Sequence, residues 1–380
     1  MGAGNWDEWV AGQLAAVGAA GRWRSVGRSV PPAPHGPSPE PKAGGAEPQV
    51  SFSSNDYLGL SRHPAVVAAA AAALDEWGTG TGASRLVGGE RPVHVALEAA
   101  VAEWKSTEAA LLFPTGYAAN LGVLSTFGGP DVRVVSDAAN HASIVDGCRL
   151  ARAEVAVYDH GDAEEAEALL TAPGPPRRLL VTDTVFSMDG DLAPVEALAS
   201  ACARAGALLV LDEAHAVLGP APDLSGVTSL RVATLSKFLG SLGGVVAGRR
   251  DLVDLLVNRA RPFVFTTATP PADAAAALAA LELLRSAEGH RRRTALRANV
   301  DRLTPAHPSP IVPVVVGDER AAVEAARRLA EQGLLVPAIR PPTVPPGTSR
   351  LRVSVSTAHT PGQLDRLARA LADLGLRARP

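Results

Sequence analysis

Between residues 109 and 235, short apolar runs alternate with stretches that have a helical pattern. Strands this apolar have to be buried on both sides, and the helices between them can cover both faces of one sheet. The pattern predicts an α/β fold with a mostly parallel sheet sandwiched by helices. The predicted strands span 109–113, 132–136, 155–158, 179–182, 207–211 and 231–235, with helices at 117–126, 142–150, 164–171 and 194–205, and the run 243–248 predicts one added strand.

Composition and pattern divide the chain into three parts. Residues 1–50 combine an N-terminal helix with an arm, 30–48, that is dense in Pro, Gly and Ala and has no periodicity. Residues 51–285 form the predicted large domain. Residues 286–380 are predicted to form a smaller C-terminal α+β domain, with strands at 311–316, 335–337 and 351–356 and helices at 320–332 and 361–374.

The charge and cysteine counts argue against several classes of function. With 36 basic and 39 acidic residues the formal net charge is −3, which gives no electrostatic reason to expect a nucleic-acid partner. Cys148 and Cys202 have no zinc-type spacing, so no metal site is expected and both are predicted to be packing residues. The longest apolar runs are too short to span a bilayer, and the N-terminus has no signal core. We expect a soluble, cytoplasmic protein.

Lysine is scarce in this chain. Only three of the 36 basic residues are lysines, namely Lys42, Lys105 and Lys237. Arginine stays protonated in proteins, whereas a partly buried lysine can lower its pKa and act as a nucleophile or a base. Lys237 stands in "TLSKFLGSLGG", among small and apolar residues after a predicted strand, so it is a candidate for such chemistry. The alternative is a surface lysine, which is what we expect Lys42 and Lys105 to be.

Polar residues directly follow the predicted strands. Because ligands bind outside the carboxyl ends of the strands in an open α/β sheet, we expect these residues to meet at one edge. Each has a structural alternative, such as a turn glycine, a hydrogen-bonded structural histidine or, for Asp212, a helix N-cap. Their convergence on one edge outweighs these alternatives. In order along the chain, these residues are Gly116 and Tyr117, His141, Ser187, Asp212 with His215, and Lys237.

One kind of chemistry uses this set of groups. A pyridoxal 5'-phosphate site needs a lysine for a Schiff base, an acidic partner for the pyridinium nitrogen and an anion pocket for the phosphate. Lys237 and Asp212 follow successive predicted strands, and the helix opened by Gly116 and Tyr117 offers free amides to an anion. The sequence therefore predicts a pyridoxal phosphate site in which Lys237 forms the imine.

Six stretches resemble the α-oxoamine synthase family of fold-type I pyridoxal phosphate enzymes, and they occur in family order between about residues 51 and 356. By this resemblance Lys237 would hold the cofactor, Asp212 would pair with its ring nitrogen and His141 would stack on its ring. These three are therefore the predicted catalytic residues. The stretches are "SNDYLGLSRHP", "GTGASRLVGG", "VFSMDGDLAPV", "LDEAHAVLG", "ATLSKFLGSLGG" and "RPPTVPPGTSRLRVS".

The resemblance implies further binding roles. The amides of Gly116 and Tyr117 and the hydroxyl of Thr234 would hold the cofactor phosphate. Ser187 and His215 would hydrogen-bond near its phenolic oxygen. His141, Thr343 and an N-terminal arginine would contact substrate, and that arginine is best matched by Arg24, with Arg22 as the competing choice.

The resemblance also implies a reaction. The family joins an amino acid to an acyl thioester with loss of carbon dioxide. Within it, "RPPTVPPGTSRLR" is more similar to members that join L-alanine to a pimeloyl thioester than to members that use glycine. A sister enzyme that uses glycine or serine with another acyl-CoA stays open, as do coenzyme A and acyl carrier protein as carriers. A non-catalytic partner subunit is the alternative of another class, but loss of the lysine would be its mark and Lys237 is present.

Family members work as homodimers with the site at the interface, so hydroxyls of "FTTATPP" would reach the partner's cofactor. The chain departs from the family beside the site. Ala216 follows His215 where the family usually has Gly or Ser, and "GPAPDLSG" is a shorter loop with fewer glycines. Both departures bear on cofactor-loop geometry and on access for the acyl chain.

Overall fold

The computed structural model describes residues 5–24, 49–219 and 221–378, so the predicted Pro-rich arm lies outside the described residues. The predicted N-terminal helix is α1 (Trp6–Ala19), and its N-cap Asn5 accepts a hydrogen bond from the amide of Asp7. None of its side chains is buried against the described part of the chain. Within that part, no helix combines the length and apolar character needed to cross a membrane.

A seven-stranded sheet forms the centre of the molecule. In spatial order its strands are β2 (Ala109–Phe113), β8 (Gly244–Gly248), β7 (Ser229–Thr234), β6 (Leu208–Asp212), β5 (Arg177–Asp183), β3 (Val132–Asp137) and β4 (Glu154–Tyr158). Every neighbouring pair is parallel except those of β8, which runs antiparallel to β2 and to β7. All six predicted strands and the added one are confirmed, with ends that differ by at most two residues.

Helices cover both faces of this sheet, as the apolar strands require. In β3, Val134 packs with Ile144 in one layer, whereas the next residue, Val135, packs with Leu198 in the opposite layer. Cys148 and Cys202 are buried in these two layers, which confirms that they are packing residues. The helices are α2 (Pro64–Trp77), α3 (Pro92–Lys105), α4 (Gly116–Phe127), α5 (Ala142–Ala151), α6 (Ala163–Thr171), α7 (Val195–Ala205), α8 (Arg250–Arg259), α9 (Arg261–Val264), α10 (Pro271–Arg285) and α11 (Ala287–Leu303), with a π-helical turn at Arg85–Gly89.

A smaller α+β unit follows α11. The strands β9 (Ile311–Gly317), β11 (Ala338–Ile339) and β12 (Ser349–Ser354) form an antiparallel sheet, accompanied by α12 (Glu319–Glu331) and α13 (Pro361–Asp373). The predicted strand 335–337 is wrong, because the chain forms two shorter strands around it, β10 (Leu334–Leu335) and β11. Strand β1 (Val50–Ser51) pairs with β10, so the start of the main body crosses to this unit. The domain boundaries at residues 50 and 285 stay predictions.

The expectation that Lys105 is a surface lysine is wrong. It is buried at the end of α3, where its Nζ lies 2.7 Å from Oε2 of Glu213 and 3.7 Å from the centre of the Trp104 ring. The guanidinium of Arg231 contacts the same carboxylate at 2.6 Å and also donates to the Lys105 carbonyl. Periodicity places Lys105 at the end of a helix, but the local sequence does not show which other element packs over that end in the folded chain.

Replacing Lys105 by Ala is expected to destabilise the fold by about 3 kcal/mol, because Arg231 pairs with Oε1 of Glu213 and the buried Oε2 loses the lysine charge beside it. Urea unfolding measures the loss. Arg327→Ala is the matched control, since its ion pairs with Glu324 and Glu331 are exposed and the midpoint should barely change. Equal losses in the two variants would contradict the role assigned to the buried cluster.

Candidate active site

The polar residues that follow the strands do meet at one edge of the sheet. Strands β3, β5, β6 and β7 end at Asp137, Asp183, Asp212 and Thr234, and helix α4 begins directly after β2 ends. Since β3, β5, β6 and β7 are parallel to one another, their carboxyl ends point the same way. This edge brings Lys237, His215, Asp212 and His141 within one network of charges and hydrogen bonds.

Lys237 lies in the turn after β7, partly buried. Its Nζ is 2.8 Å from Nε2 of His215, a ring that is itself buried. Burial is the main cause that lowers the pKa of Lys237 to about 8, and Arg352 adds to it, whereas the carboxylates of Asp212 and Asp183 oppose the shift. The lysine is therefore suited to supply a neutral amine near physiological pH.

The carboxylate of Asp212 is held in place from two sides. Its Oδ2 accepts a 2.7 Å hydrogen bond from Nδ2 of Asn120, and its Oδ1 accepts from the amide of Ala214. Residues 213–219, which the structure describes, form turns and bends rather than a helix, so the N-cap alternative for Asp212 is wrong. The fixed, buried carboxylate is available to a cation or to a protonated ring nitrogen.

His141 is the N-cap of α5. Its Nδ1 lies 2.7 Å from the hydroxyl of Ser143, and its amide donates to Oδ2 of Asp183 at 2.8 Å. The rings of Tyr117 and His141 are nearly perpendicular, with 6.3 Å between their centres and 80° between their planes. Burial is the main cause that lowers the pKa of His141, which favours a neutral ring that can stack on a flat ligand.

The beginning of α4 forms a concave anion site. Thr115 is its N-cap, so the first amides of the helix have no intrahelical partner. A Cβ added to Gly116 would lie 3.1 Å from Cβ of Thr234, and one added to Gly244 would lie 2.6 Å from the Gly116 nitrogen. Glycine at these positions therefore lets the start of α4 lie close to the end of β7 and to the start of β8, with the Thr234 hydroxyl beside Gly116.

Three residues that sequence reasoning missed complete the network. The hydroxyl of Tyr57 is 2.7 Å from Nδ1 of His215 and donates to Oδ1 of Asn55 at 3.0 Å. Arg352, on β12, donates to the same Oδ1 and, from its Nε, to the carbonyl of Ser187. These residues belong to "SNDYLG" and "RLRVS", which are parts of two stretches that resemble the family. Nothing in the local sequence indicates that these segments meet the edge of the sheet.

Two of the predicted substrate residues lie apart from this cluster in the described structure. Arg24 and Thr343 are exposed, and no hydrogen bond within the described residues joins either to the sheet edge. Arg22 is held by the carboxylate of Glu319 at 2.7 Å, which leaves Arg24 as the more available arginine. Arg340 donates to the carbonyls of Gly21 and Trp23, so the N-terminal segment and the Thr343 loop are held next to each other.

The donor set fits pyridoxal 5'-phosphate. Lys237 offers a desolvated amine, Asp212 a buried carboxylate, and the α4 amides with the Thr234 hydroxyl an anion site. Those are the three groups that this cofactor requires. Within the described residues, no group of three or more His, Cys, Asp or Glu side chains is arranged to hold a metal ion.

Comparison with known proteins agrees with this geometry. The sequence model of the family described as aminotransferase class I and II matches residues 47–371. The chain belongs to that family. A curated relative, the 8-amino-7-oxononanoate synthase of Anaeromyxobacter dehalogenans (strain 2CP-1), is 49% identical over 383 residues, covering 96% of this chain and 95% of its own.

Solved structures place the chain within the family. A serine palmitoyltransferase variant from S. paucimobilis, solved with PLP and myriocin bound, has a TM-score of 0.87 at 29% identity and covers 98% of this chain and 100% of its own. The 8-amino-7-oxononanoate synthase of Francisella tularensis has a TM-score of 0.72 at 25% identity, covering 86% and 97%. The predicted α-oxoamine synthase resemblance and the fold class, a mostly parallel sheet with a smaller C-terminal unit, are confirmed.

The perturbed Lys237 makes a pH prediction. Its amine is neutral above its pKa, so the rate at which cofactor-free protein takes up pyridoxal 5'-phosphate should rise with pH and level off above about 8. An unperturbed lysine would give a rise near 10.5. Stopped-flow absorbance measures the rate. Arg352→Met should move the rise to higher pH, because it removes a positive charge that disfavours the ammonium form, and an unchanged profile in that variant would contradict this electrostatic account.

Proposed function

We propose that this protein catalyses the decarboxylative condensation of L-alanine with a pimeloyl thioester to give 8-amino-7-oxononanoate, a step of biotin biosynthesis. The observation that carries the chemistry is the desolvated Lys237 amine, hydrogen-bonded to His215 at the edge that also holds Asp212. The full-length similarity to 8-amino-7-oxononanoate synthases supports the choice of substrates.

Pyridoxal 5'-phosphate would be held by Lys237 through its amine, by Asp212 at the ring nitrogen and by His141 against the ring face. The amides of Gly116 and Tyr117 with the Thr234 hydroxyl would hold its phosphate, and Ser187 and His215 would lie near its phenolic oxygen. When bound, the cofactor supplies the electron sink for negative charge at the alanine α-carbon. The Lys237 amine would take the α-proton of alanine as general base.

Arg352 is the best partner for the carboxylate of alanine. It is buried, yet its hydrogen bonds go to neutral atoms, namely the Ser187 carbonyl, Asn55 Oδ1 and the Ser354 hydroxyl. It forms no ion pair within the described residues. A buried guanidinium next to Lys237 without a carboxylate partner is suited to a carboxylate that arrives with substrate.

The acyl thioester would enter beside the Thr343 loop. Thr343 and Arg24 stand on segments that Arg340 holds together, and prolines stiffen the loop, which reduces the ordering cost of binding. The cationic Arg24 suits the free carboxylate of a pimeloyl chain. Either coenzyme A or acyl carrier protein can serve as the carrier in this proposal.

We propose that the working unit is a homodimer. Apolar side chains are exposed along one side of α1, at Trp6, Trp9, Val10 and Leu14, and a second exposed group includes Val87 and Phe265. Exposed apolar side chains that share one face are a feature of interaction surfaces. Light scattering of the full-length protein tests the dimer.

Steady-state assays test the function. Purified protein with pyridoxal 5'-phosphate and pimeloyl-CoA is expected to turn over L-alanine in preference to glycine and serine, and Lys237→Ala is expected to be inactive. Carbon dioxide release and the amino ketone product are measured. Preference for glycine or serine with another acyl-CoA would instead identify a sister enzyme, and binding of cofactor without turnover of any amino acid would identify a non-catalytic subunit.

Asp212→Asn is expected to fold and to lose at least about 10²-fold in activity, the size typical of a lost protonation role. An amide carries no negative charge with which to keep a ring nitrogen protonated. Exchange of the alanine α-proton, followed by NMR, isolates this step from the acyl transfer. A near-native exchange rate would rule the assigned role out.

Arg352→Lys and Thr343→Ala are expected to affect different substrates. Lysine keeps the charge but loses the planar fork, so KM for alanine should rise about tenfold or more while KM for the thioester changes little. Thr343→Ala should raise KM for the thioester alone. The opposite pattern in either variant would exchange the two assigned subsites.

A further inference from the structure

A continuous chain of hydrogen bonds links Arg352 to Lys237. From Nη1 of Arg352 to Oδ1 of Asn55 the distance is 3.1 Å, and from that oxygen to the Tyr57 hydroxyl it is 3.0 Å. The hydroxyl lies 2.7 Å from Nδ1 of His215, whose Nε2 lies 2.8 Å from Lys237 Nζ. Tyr57, His215 and Arg352 are buried, so these contacts are shielded from solvent.

The direction of this chain follows from its arginine end. A guanidinium has donors only, so the Asn55 atom that faces Arg352 has to be the carbonyl oxygen rather than the amide nitrogen. That oxygen has two lone pairs and can accept from both Arg352 and Tyr57. It cannot donate, so the single hydroxyl proton of Tyr57 is used in the bond to Asn55.

The next link is then fixed as well. With its proton committed to Asn55, the Tyr57 oxygen can only accept from His215, which requires a proton on Nδ1 of that ring. Burial, together with the positive charges of Lys237 and Arg352 and the nearby His141, lowers the pKa of His215 well below its ordinary value, so the ring carries one proton. Burial raises the pKa of Tyr57 to about 12, so the hydroxyl keeps its own proton.

We propose that Tyr57 is a positioning residue that fixes the tautomer of His215, with the proton on Nδ1 and the Nε2 lone pair directed at Lys237. Asn55 and Arg352 set the direction of the Tyr57 hydroxyl.

This tautomer determines whether the amine of Lys237 is usable. A lone pair on Nε2 accepts an N–H of the lysine, so the amine's own lone pair stays free to act as nucleophile or base. With the proton on Nε2 instead, the ring would donate into that lone pair and occupy it. The orientation of one asparagine is thus transmitted through two rings to the reactive nitrogen.

The inference rests on the proposed function only for the use made of Lys237. The tautomer can be measured without substrate, so use of a different amino acid would overturn the proposed function and leave this inference standing.

The native protein supplies the first test. ¹⁵N NMR of the full-length chain, labelled at histidine and recorded with and without pyridoxal 5'-phosphate, reports which ring nitrogens carry protons. The signals of His215 are assigned by their absence in His215→Gln. We expect a protonated Nδ1 and an unprotonated Nε2 without cofactor, and a protonated Nε2 there would overturn the proposal without any Tyr57 variant.

Tyr57→Phe supplies the second test. Without the hydroxyl, Nδ1 of His215 loses its acceptor, so the tautomer should shift toward Nε2–H, and alanine α-proton exchange should slow about tenfold or more. Tyr158→Phe is the matched control, because it removes the hydroxyl of another buried tyrosine, at the end of β4. The control should leave both the His215 signals and the exchange rate unchanged.

The variants discriminate between positioning and packing. A Tyr57→Phe protein with native His215 signals and native exchange would overturn the role of Tyr57, and a loss of exchange of the same size in Tyr158→Phe would reduce that role to packing. If Tyr57→Phe does not fold, Asn55→Ala gives the same test with tyrosine present. There the Tyr57 hydroxyl is free to donate to His215, and the same tautomer shift is expected, so native signals would contradict the proposal.

Discussion

Lys237 is held at a sheet edge where two opposing effects act on its charge. Burial and the Arg352 guanidinium disfavour the ammonium form, while the carboxylates of Asp212 and Asp183 favour it. If burial were absent the lysine would stay protonated, and with a direct salt bridge to either carboxylate it would be fixed in the charged form. The hydrogen bond to a neutral His215 holds the amine without supplying a counter-charge, and the rest of the site is arranged around that condition.

The two carboxyl groups that oppose burial are themselves constrained by the sheet. Asp183 and Asp212 are paired residues at the ends of the neighbouring strands β5 and β6. Burial and the nearby Asp212 raise the pKa of Asp183 well above its ordinary value, so one member of the pair takes up the proton more readily. Asp183 accepts a hydrogen bond from the backbone amide of His141, whereas Asp212 accepts one from the side chain of Asn120 and faces the site. With these separate partners, Asp183 holds the backbone of His141, and Asp212 presents its carboxylate to the site.

The loop that carries Ser187 is held from both units of the molecule. Asp189 pairs with Arg350 of β12, and the Ser187 carbonyl accepts from Arg352 of the same strand. From the other side, His160 bridges Asp137 and Asp191, and these two carboxylates raise the pKa of His160 to about 10. The small C-terminal unit therefore supplies part of the active-site framework, through two arginines that follow each other on one face of a strand.

The order of residue types along the chain determined much of this protein. Apolar runs and helical patterns gave the strands and their covering helices, because burial on both faces leaves a signature in every strand, and the polar residue after each strand indicated the cofactor. The stretch "SNDYLG" carries no local sign of its partners in the fold. Tyr57 and His215 are 158 residues apart, and no local pattern tells that the hydroxyl of one meets the ring of the other.

Burial and direction were decided only by the tertiary structure. Lys105 and Lys237 are both lysines near the end of an element, yet one is neutralised by Glu213 and the other is left to react, because different segments pack over them. The sequence specifies which donors and acceptors exist. In the chain of hydrogen bonds from Arg352 to Lys237, the direction of every bond depends on the guanidinium of Arg352, which can only donate, reaching Asn55. Only the packing of the C-terminal unit against the start of the main body brings Arg352 and Asn55 together.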